Sequence, residues 1–267
     1  MKKLHVQWRS NSENRKKKYN MINNYKVSII TVCYNSAAVI ENTIKSVLNQ
    51  TYRNIEYIIV DGKSTDCTMQ IVNKYKAVFD STEIEFKVIS EPDQGIYDAM
   101  NKGISMASGE LIGLINSGDW YEDCAVSTMI DYYDKYHFDM FYADLYIWRK
   151  GKSMIKKAKL QNYVTTRDWN HPTTFITKET YHIFKYACHG IYDDWDLVLR
   201  IRRSGRKIVT CNKVLANFTF GGISNRKNVK DAWKRFKERY KIYLDNGYSK
   251  WYIFECLLME TVKYFAA

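Results

Sequence analysis

The chain lacks a CxxC pair, an apolar run near the roughly 20 residues that span a bilayer, a GxGxxG after its first strand, and any GxxxxGKS/T. These absences argue against a zinc knuckle, a membrane-spanning protein, a dinucleotide-dependent dehydrogenase and a P-loop NTPase. The 6 cysteines, Cys33, Cys67, Cys124, Cys188, Cys211 and Cys256, are scattered, and no secretory signal is evident. A reducing cytoplasm is therefore expected, with no disulfide framework. Internal repeats and low-complexity tracts are missing as well, so repeat architectures and disorder are not the default.

What remains is an ordinary globular composition with an unusual charge. At 267 residues, 46% of them hydrophobic, the chain can bury the core of a large α/β domain or of a domain with a helical appendage. Lys plus Arg number 41 against 29 acids, a net charge of +12. That balance favours an anionic partner: nucleic acid, an acidic membrane surface or a phosphorylated substrate.

Residues 1–24 are polar and basic, with Lys16-Lys17-Lys18, and read as an arm. Strands are expected at 27–32, 55–60, 85–90 and 111–115, and helices at 39–48, 68–75 and 96–107, with Asn35 or Ser36 capping the first helix. Strand and helix alternate through the first half, which implies a mostly parallel, Rossmann-like sheet flanked by helices, with ligand loops at its carboxyl edge. The second half suggests a helix at 125–136, a strand at 139–148, a basic hairpin at 150–159, a loop from His171 entering a strand near Phe175, and a helix at 193–204 ended by Gly205. Residues 225–267 read as aromatic, amphipathic helices.

Carboxylates recur where those strands end and helices begin: Asp61, Asp93, Asp98, Asp119 and Asp193-Asp194. One such acid serves equally well as a helix cap or turn residue. Several on one sheet edge of a basic protein point instead to a divalent cation and, through it, a diphosphate, because hard oxygen ligands suit Mg²⁺ or Mn²⁺.

Four stretches then occur in order: 27–35; Ile58-Ile59-Val60-Asp61-Gly62-Lys63-Ser64-Thr65-Asp66; Glu91-Pro92-Asp93-Gln94-Gly95-Ile96-Tyr97-Asp98-Ala99-Met100-Asn101-Lys102-Gly103; and Asn116-Ser117-Gly118-Asp119. Together they resemble the family 2 glycosyltransferases of bacterial surface-polysaccharide assembly, over about 25–224. The resemblance implies a GT-A fold and inverting transfer of a sugar from a nucleotide diphosphate sugar, a UDP-sugar, to a glycan acceptor that is lipid-linked. It places Thr31, Tyr34, Asn35 and Asp61 at the base and ribose, although Tyr34 could equally be a packing aromatic. Gly95, Asp98 and Asn101, with Asn116, Ser117 and Gly118, fall in the nucleotide and donor pocket, while Lys102 reads as a solvated charge. Family members often carry an Asp-x-Asp-Asp run at the metal. Here only Asp119 survives, so it is the expected ligand of Mn²⁺ or Mg²⁺, and binding without nucleotide should be weak.

Asp193-Asp194-Trp195-Asp196-Leu197-Val198-Leu199-Arg200 resembles the family's Glu-Asp-x-Asp-Leu-x-Leu-Arg run. Asp194 matches the catalytic base and Asp193 is its neighbour; adjacent like charges raise one pKa. The plain alternative is a pair of helix N-terminal acids, with Asp196 and Arg200 bonded across a turn. His171 stands either as a structural histidine or on the acceptor side, and Arg200, Arg203 and the Gly221-Gly222-Ile223-Ser224 loop are candidates for the diphosphate. The C-terminal aromatics suit an anionic membrane at the inner face of the cytoplasmic membrane, packing onto the catalytic unit, or a homodimer. Two other classes stay open: a nucleic-acid-binding protein, which would explain the charge but not the acids, and a scaffold that has lost activity with its metal motif.

Overall fold

β-Branched and aromatic residues dominate Val27–Cys33 (β1) and Ile55–Asp61 (β2), and every residue of both strands is buried. Continuous burial is what a parallel strand covered on both faces requires. The computed structural model describes residues 24–219 and 229–266. The expected basic arm, apart from Asn24, and the Gly221-Gly222-Ile223-Ser224 loop lie outside the described residues.

The chain continues through Ile40–Leu48 (α1), Thr68–Lys74 (α2), Lys76–Asp80 (α3), Glu85–Ser90 (β3), Ile96–Met106 (α4), Leu111–Leu114 (β4), Trp120–Tyr121 (β5) and Ala125–Tyr136 (α5). The second half runs Met140–Arg149 (β6), Lys152–Lys156 (β7), Phe175–Thr177 (β8), Lys178–Ile183 (α6), Asp193–Arg203 (α7), Ile208–Thr219 (β9), Val229–Asp245 (α8) and Tyr252–Ala266 (α9). One 9-stranded sheet has the order β3-β2-β1-β4-β8-β6-β9-β5, with β7 paired to β6. The first four of these neighbours are parallel; β8 is antiparallel to both β4 and β6, β6 and β9 are parallel, and β5 returns antiparallel to β9. The α/β class and the four expected strands of the first half are present.

Three local expectations are corrected. The helix read at 68–75 ends at Lys74, and a further short helix follows at Lys76–Asp80. The first helix begins at Ile40 with Val39 at its cap position and no side-chain cap. Asn35 instead takes a left-handed φ of 48° and accepts the Thr65 N–H at 2.9 Å, tying the end of β1 to the loop after β2, while Ser36 supplies only its backbone carbonyl to Val39 and Ile40. The sequence pattern also passes over β5 and α6, which are short, and the long β9.

Two apolar layers sandwich the sheet. On one face Ile29, Tyr57 and Phe175 meet Ile44 and Val47 of α1 and Val126 and Met129 of α5. On the other, Ile30, Ile58 and Leu114 meet Met100 of α4, Trp195 and Leu199 of α7, and Tyr243, Tyr252 and Cys256 from α8 and α9. The inner faces of the C-terminal helices therefore belong to the main core. Gly103 lets α4 approach the sheet, since a Cβ there would lie 2.5 Å from an Ile30 methyl.

Candidate active site

The carboxyl ends of β1, β2 and β4 lie side by side, because β1 pairs in parallel with the other two. Asp61 closes β2 and is fully buried. Its carboxylate accepts the Ser64 N–H at 3.0 Å, the Ser64 hydroxyl, and the Ser90 hydroxyl at 2.6 Å, and the Cys33 thiol donates to it at 3.6 Å. Asp61 thus fastens its own loop to β3. Gly62, next along, faces Asp93 and Tyr34: a Cβ would fall 2.4 Å from Asp93 Oδ2, displacing that carboxylate, and 3.4 Å from the Tyr34 ring. Tyr34 is 62% exposed, and its ring and the Asp93 carboxylate lie on either side of Gly62 at the ends of β1 and β2. Thr31 does not reach them. It lies wholly inside the sheet layer, accepting the Tyr57 hydroxyl at 3.0 Å, because it precedes the strand end by two residues.

Asn116-Ser117-Gly118-Asp119 leaves β4 toward β5. Gly118 adopts φ of 96°, open to glycine and rarely to other residues. Thr43 of α1 braces the turn, accepting the Gly118 N–H at 3.0 Å and donating to the Asp119 carbonyl at 2.7 Å. Ser117 meets Ser36 hydroxyl to hydroxyl at 2.9 Å. Asp119 is only 6% exposed, and among the described residues its carboxylate takes a single hydrogen bond, the Thr219 N–H at 3.1 Å from the end of β9. Burial, opposed only by that donor, pushes its carboxyl up to about 7. Among the described residues, the buried amide oxygen of Asn116 has no partner.

Asp98 and Asn101 diverge in role. Asp98 accepts the Gln94 N–H at 3.0 Å, and Asn101 clasps the Tyr186 backbone from both sides, donating to its carbonyl at 2.9 Å and accepting its N–H at 3.2 Å. Lys102 is not the solvated charge expected: it donates to the Pro92 carbonyl at 2.7 Å and pairs with Glu91 at 2.9 Å and Asp98 at 3.5 Å, holding the Asp93 loop. Gly95 stands at φ of 124° with open space around it.

Of the α7 acids, only Asp194 borders a cleft. Asp193 is turned to the backbone, accepting the His189 N–H at 2.7 Å and the Gly190 N–H at 3.2 Å. Asp194 accepts the N–H of Trp195 at 2.7 Å. It lines a small recess with Leu114, Thr174, Tyr186 and His171. Burial raises the Asp194 carboxyl above the ordinary range, with the Asp193 charge adding to it; His171, the Trp195 N–H and the Tyr97 hydroxyl pull the other way. Burial lowers the His171 pKa, against the attraction of Asp194, and among the described residues its buried Nε2 has no partner. Trp169 stands edge-on to that imidazole at 5.7 Å and donates to Thr174 at 2.9 Å.

The two arginines face elsewhere. Arg200 bonds Asp196 at 2.7 Å, as the i, i+4 spacing suggested, and the Lys185 carbonyl at 2.6 Å. Arg203 lies over the Tyr248 ring at 5.7 Å, against the turn between α8 and α9. Sequence reasoning named Asp93 only as one of the strand-end acids and gave no site role to Gly62, Thr43, Tyr97 or Thr219. The Asp93 and Gly62 motif residues were readable; Thr219, 100 residues from its partner, carried no local signal.

No group of three or more His, Cys, Asp or Glu that could cage a metal occurs among the described residues. A lone desolvated carboxylate beside an unpartnered amide oxygen does fit a cation whose remaining ligands are diphosphate oxygens and waters.

Residues 28–200 match the family model described as Glycosyl transferase family 2. The chain is 42% identical over 96 residues to the putative glycosyltransferase EpsH of Bacillus subtilis, a match covering 36% of this chain and 27% of that one. It is 36% identical over 121 residues to the Escherichia coli UDP-Glc:alpha-D-GlcNAc-diphosphoundecaprenol beta-1,3-glucosyltransferase WfaP, covering 45% and 46%. These matches span between about a quarter and a half of the relatives' lengths. Among solved structures, S. aureus TarS 1-349 with UDP-GlcNAc superposes at a TM-score of 0.64 and 17% identity, covering 90% of this chain and 73% of that one. Mannosyltransferase PcManGT from Pyrobaculum calidifontis with GDP-Man and Mn²⁺ gives 0.63 at 13% identity, covering 85% and 67%. At those identities the likeness is one of fold, the GT-A fold.

Proposed function

The chain belongs to glycosyl transferase family 2, and on that premise we propose that it transfers a sugar, with inversion, from a UDP-sugar to a hydroxyl of a lipid-linked glycan at the cytoplasmic face of a membrane. The observation that carries this reading is Asp194: a carboxylate of raised pKa, with one backbone donor, on a cleft where β4 ends. A general base needs that combination of access and basicity.

In the reaction, Asp194 takes the proton of the acceptor hydroxyl as its oxygen attacks the anomeric carbon. A glycosidic C–O bond forms, the bond to the diphosphate breaks on the opposite face, and the proton leaves Asp194 for solvent. His171 lines the acceptor side, and its attraction partly offsets the burial that raises the Asp194 carboxyl. The surface formed by Tyr34, Asn35, Gly62 and Asp93 receives the nucleoside, with Asp61 holding the loop that shapes it. Gly95 and Asp98 border the donor, and Asn116, Ser117 and Gly118 carry the approach to Asp119. Asp119 would hold Mn²⁺ or Mg²⁺, which supplies charge neutralisation to the leaving diphosphate. The name of WfaP and the UDP-GlcNAc in the TarS structure support the donor class and, for WfaP, the lipid diphosphate acceptor.

The test pairs binding with turnover. Thermal shift across UDP-, GDP- and dTDP-sugars, with and without Mn²⁺, should give cation-dependent stabilisation by the UDP series. Asp194→Asn should keep that shift and lose transfer to a polyprenyl diphosphate-linked sugar. Equal turnover by the variant would overturn the assignment of Asp194, and the absence of any nucleotide shift would overturn the donor.

A further inference from the structure

α9 is built inside out. Its carboxylates point inward: Glu255 is 3% exposed, bonded to Thr165, to Arg167 at 3.0 Å and to Tyr163 at 3.4 Å. Glu260 is 7% exposed and bonded to Arg235 at 2.9 Å, Arg239 at 3.1 Å and Tyr192 at 3.2 Å. Beside the core-facing Tyr252 and Cys256, four large apolar residues point outward, Phe254, Leu257, Leu258 and Val262 all being exposed, and Trp251, just before the helix, is 74% exposed and stacked on Phe254 at 5.7 Å. Positions 251, 254, 258 and 262 form one helical stripe. Burying charge to expose hydrocarbon is the reverse of a helix solvated by water.

We propose that this stripe is seated in the interfacial layer of an anionic lipid bilayer, docking the enzyme on the membrane; the inference rests on the lipid-linked acceptor reading above. Charge chooses the occupant. The exposed side of the neighbouring helix α8 carries Lys234, Lys237 and Lys241, together with Trp233, over which Lys237 lies at 5.3 Å. Lys234 pairs with Glu238 at 3.8 Å and Lys241 with Asp245 at 2.5 Å, both pairs at the helix surface. Exposed apolar and aromatic side chains on α9 and exposed lysines on the neighbouring α8, in a chain of net charge +12, complement acidic headgroups. A second copy docked face to face about a two-fold axis would instead set lysine rows near each other.

Flotation with phosphatidylglycerol-containing vesicles and with pure phosphatidylcholine vesicles tests the proposal. The full chain should float with the anionic vesicles and lose most of that binding at high salt. Phe254→Asp with Leu258→Asp should reduce the bound fraction about tenfold or more, and Lys234→Glu with Lys237→Glu and Lys241→Glu should abolish the preference for anionic lipid. Trp251→Ser, outside the helix, repeats the apolar test should the double variant fail to fold. The UDP and Mn²⁺ thermal shift is read on every variant. Retained shift with lost flotation supports the docking face; flotation of wild type and variants alike, no flotation at all, or a wild-type dimer dissolved by the apolar substitutions overturns it. Flotation without any nucleotide shift instead overturns the transferase reading alone.

Discussion

Asp61 and Asp119 occupy matching places, after parallel strands on either side of β1, and they are treated in opposite ways. Asp61 is enclosed by the Ser64 N–H, two hydroxyls and a thiol, whereas Asp119 is nearly as deeply buried with one backbone donor. The α7 acids repeat the contrast: Asp193 receives two backbone N–H groups, and Asp194 faces a cleft. A carboxylate whose oxygens are filled by the protein is architecture, while one desolvated and left short of donors is poised for a ligand or a proton.

Four measurements break or sharpen that contrast. The largest effect is expected for Asp194→Asn, a loss of about 10³-fold in kcat with little change in Tm, since the amide oxygen still accepts from the Trp195 N–H and the Tyr97 hydroxyl. Asp61→Ala should do the reverse, costing about 3 kcal/mol in urea unfolding because it strands the Ser64 and Ser90 donors. Equal loss of stability from both would erase the distinction.

Asp119→Asn is next, with about 100-fold lower turnover and loss of the Mn²⁺-dependent part of the UDP shift. It also carries a pH signature. The Asp119 pKa rises from 3.8 to about 7 on folding, so without cation its contribution favours the fold below 3.8 and is lost as pH rises through 7. Tm measured in chelator should fall between pH 5 and pH 8 in the wild type and run flatter in Asp119→Asn. The smallest effect is that of His171→Ala: removing a group that lowers the Asp194 pKa should move the acid limb of kcat/KM to higher pH. A downward shift would reverse the assigned coupling.

Much of the first half was legible because its signals are local. Val27–Cys33 and Ile55–Asp61 are unbroken β-branched and apolar runs, and the helices between them keep their apolar period. The acids at strand ends were legible for the same reason. Which of them are filled was not, since Ser90 reaches Asp61 from the next strand and His189 closes on Asp193 from an irregular loop. Arg203 shows the limit well: its place on α7 said nothing of Tyr248, which arrives from the turn between the C-terminal helices. The stripe on α9 was visible as aromatics, but only the fold reveals that its glutamates face inward.

The bond from Thr219 to Asp119 also sets an order of events during synthesis. β1 to β4 can pair as soon as residue 114 has emerged, leaving Asp119 in water as an ordinary acid. β5 has no partner until β9 is made, and the donor arrives 100 residues after the carboxylate. On a ribosome adding about 5–20 residues per second, the sheet can wait several seconds before the acid is covered. The chain thus defers desolvating its charge to the last strand, so that the long-range closure which slows folding also completes the site.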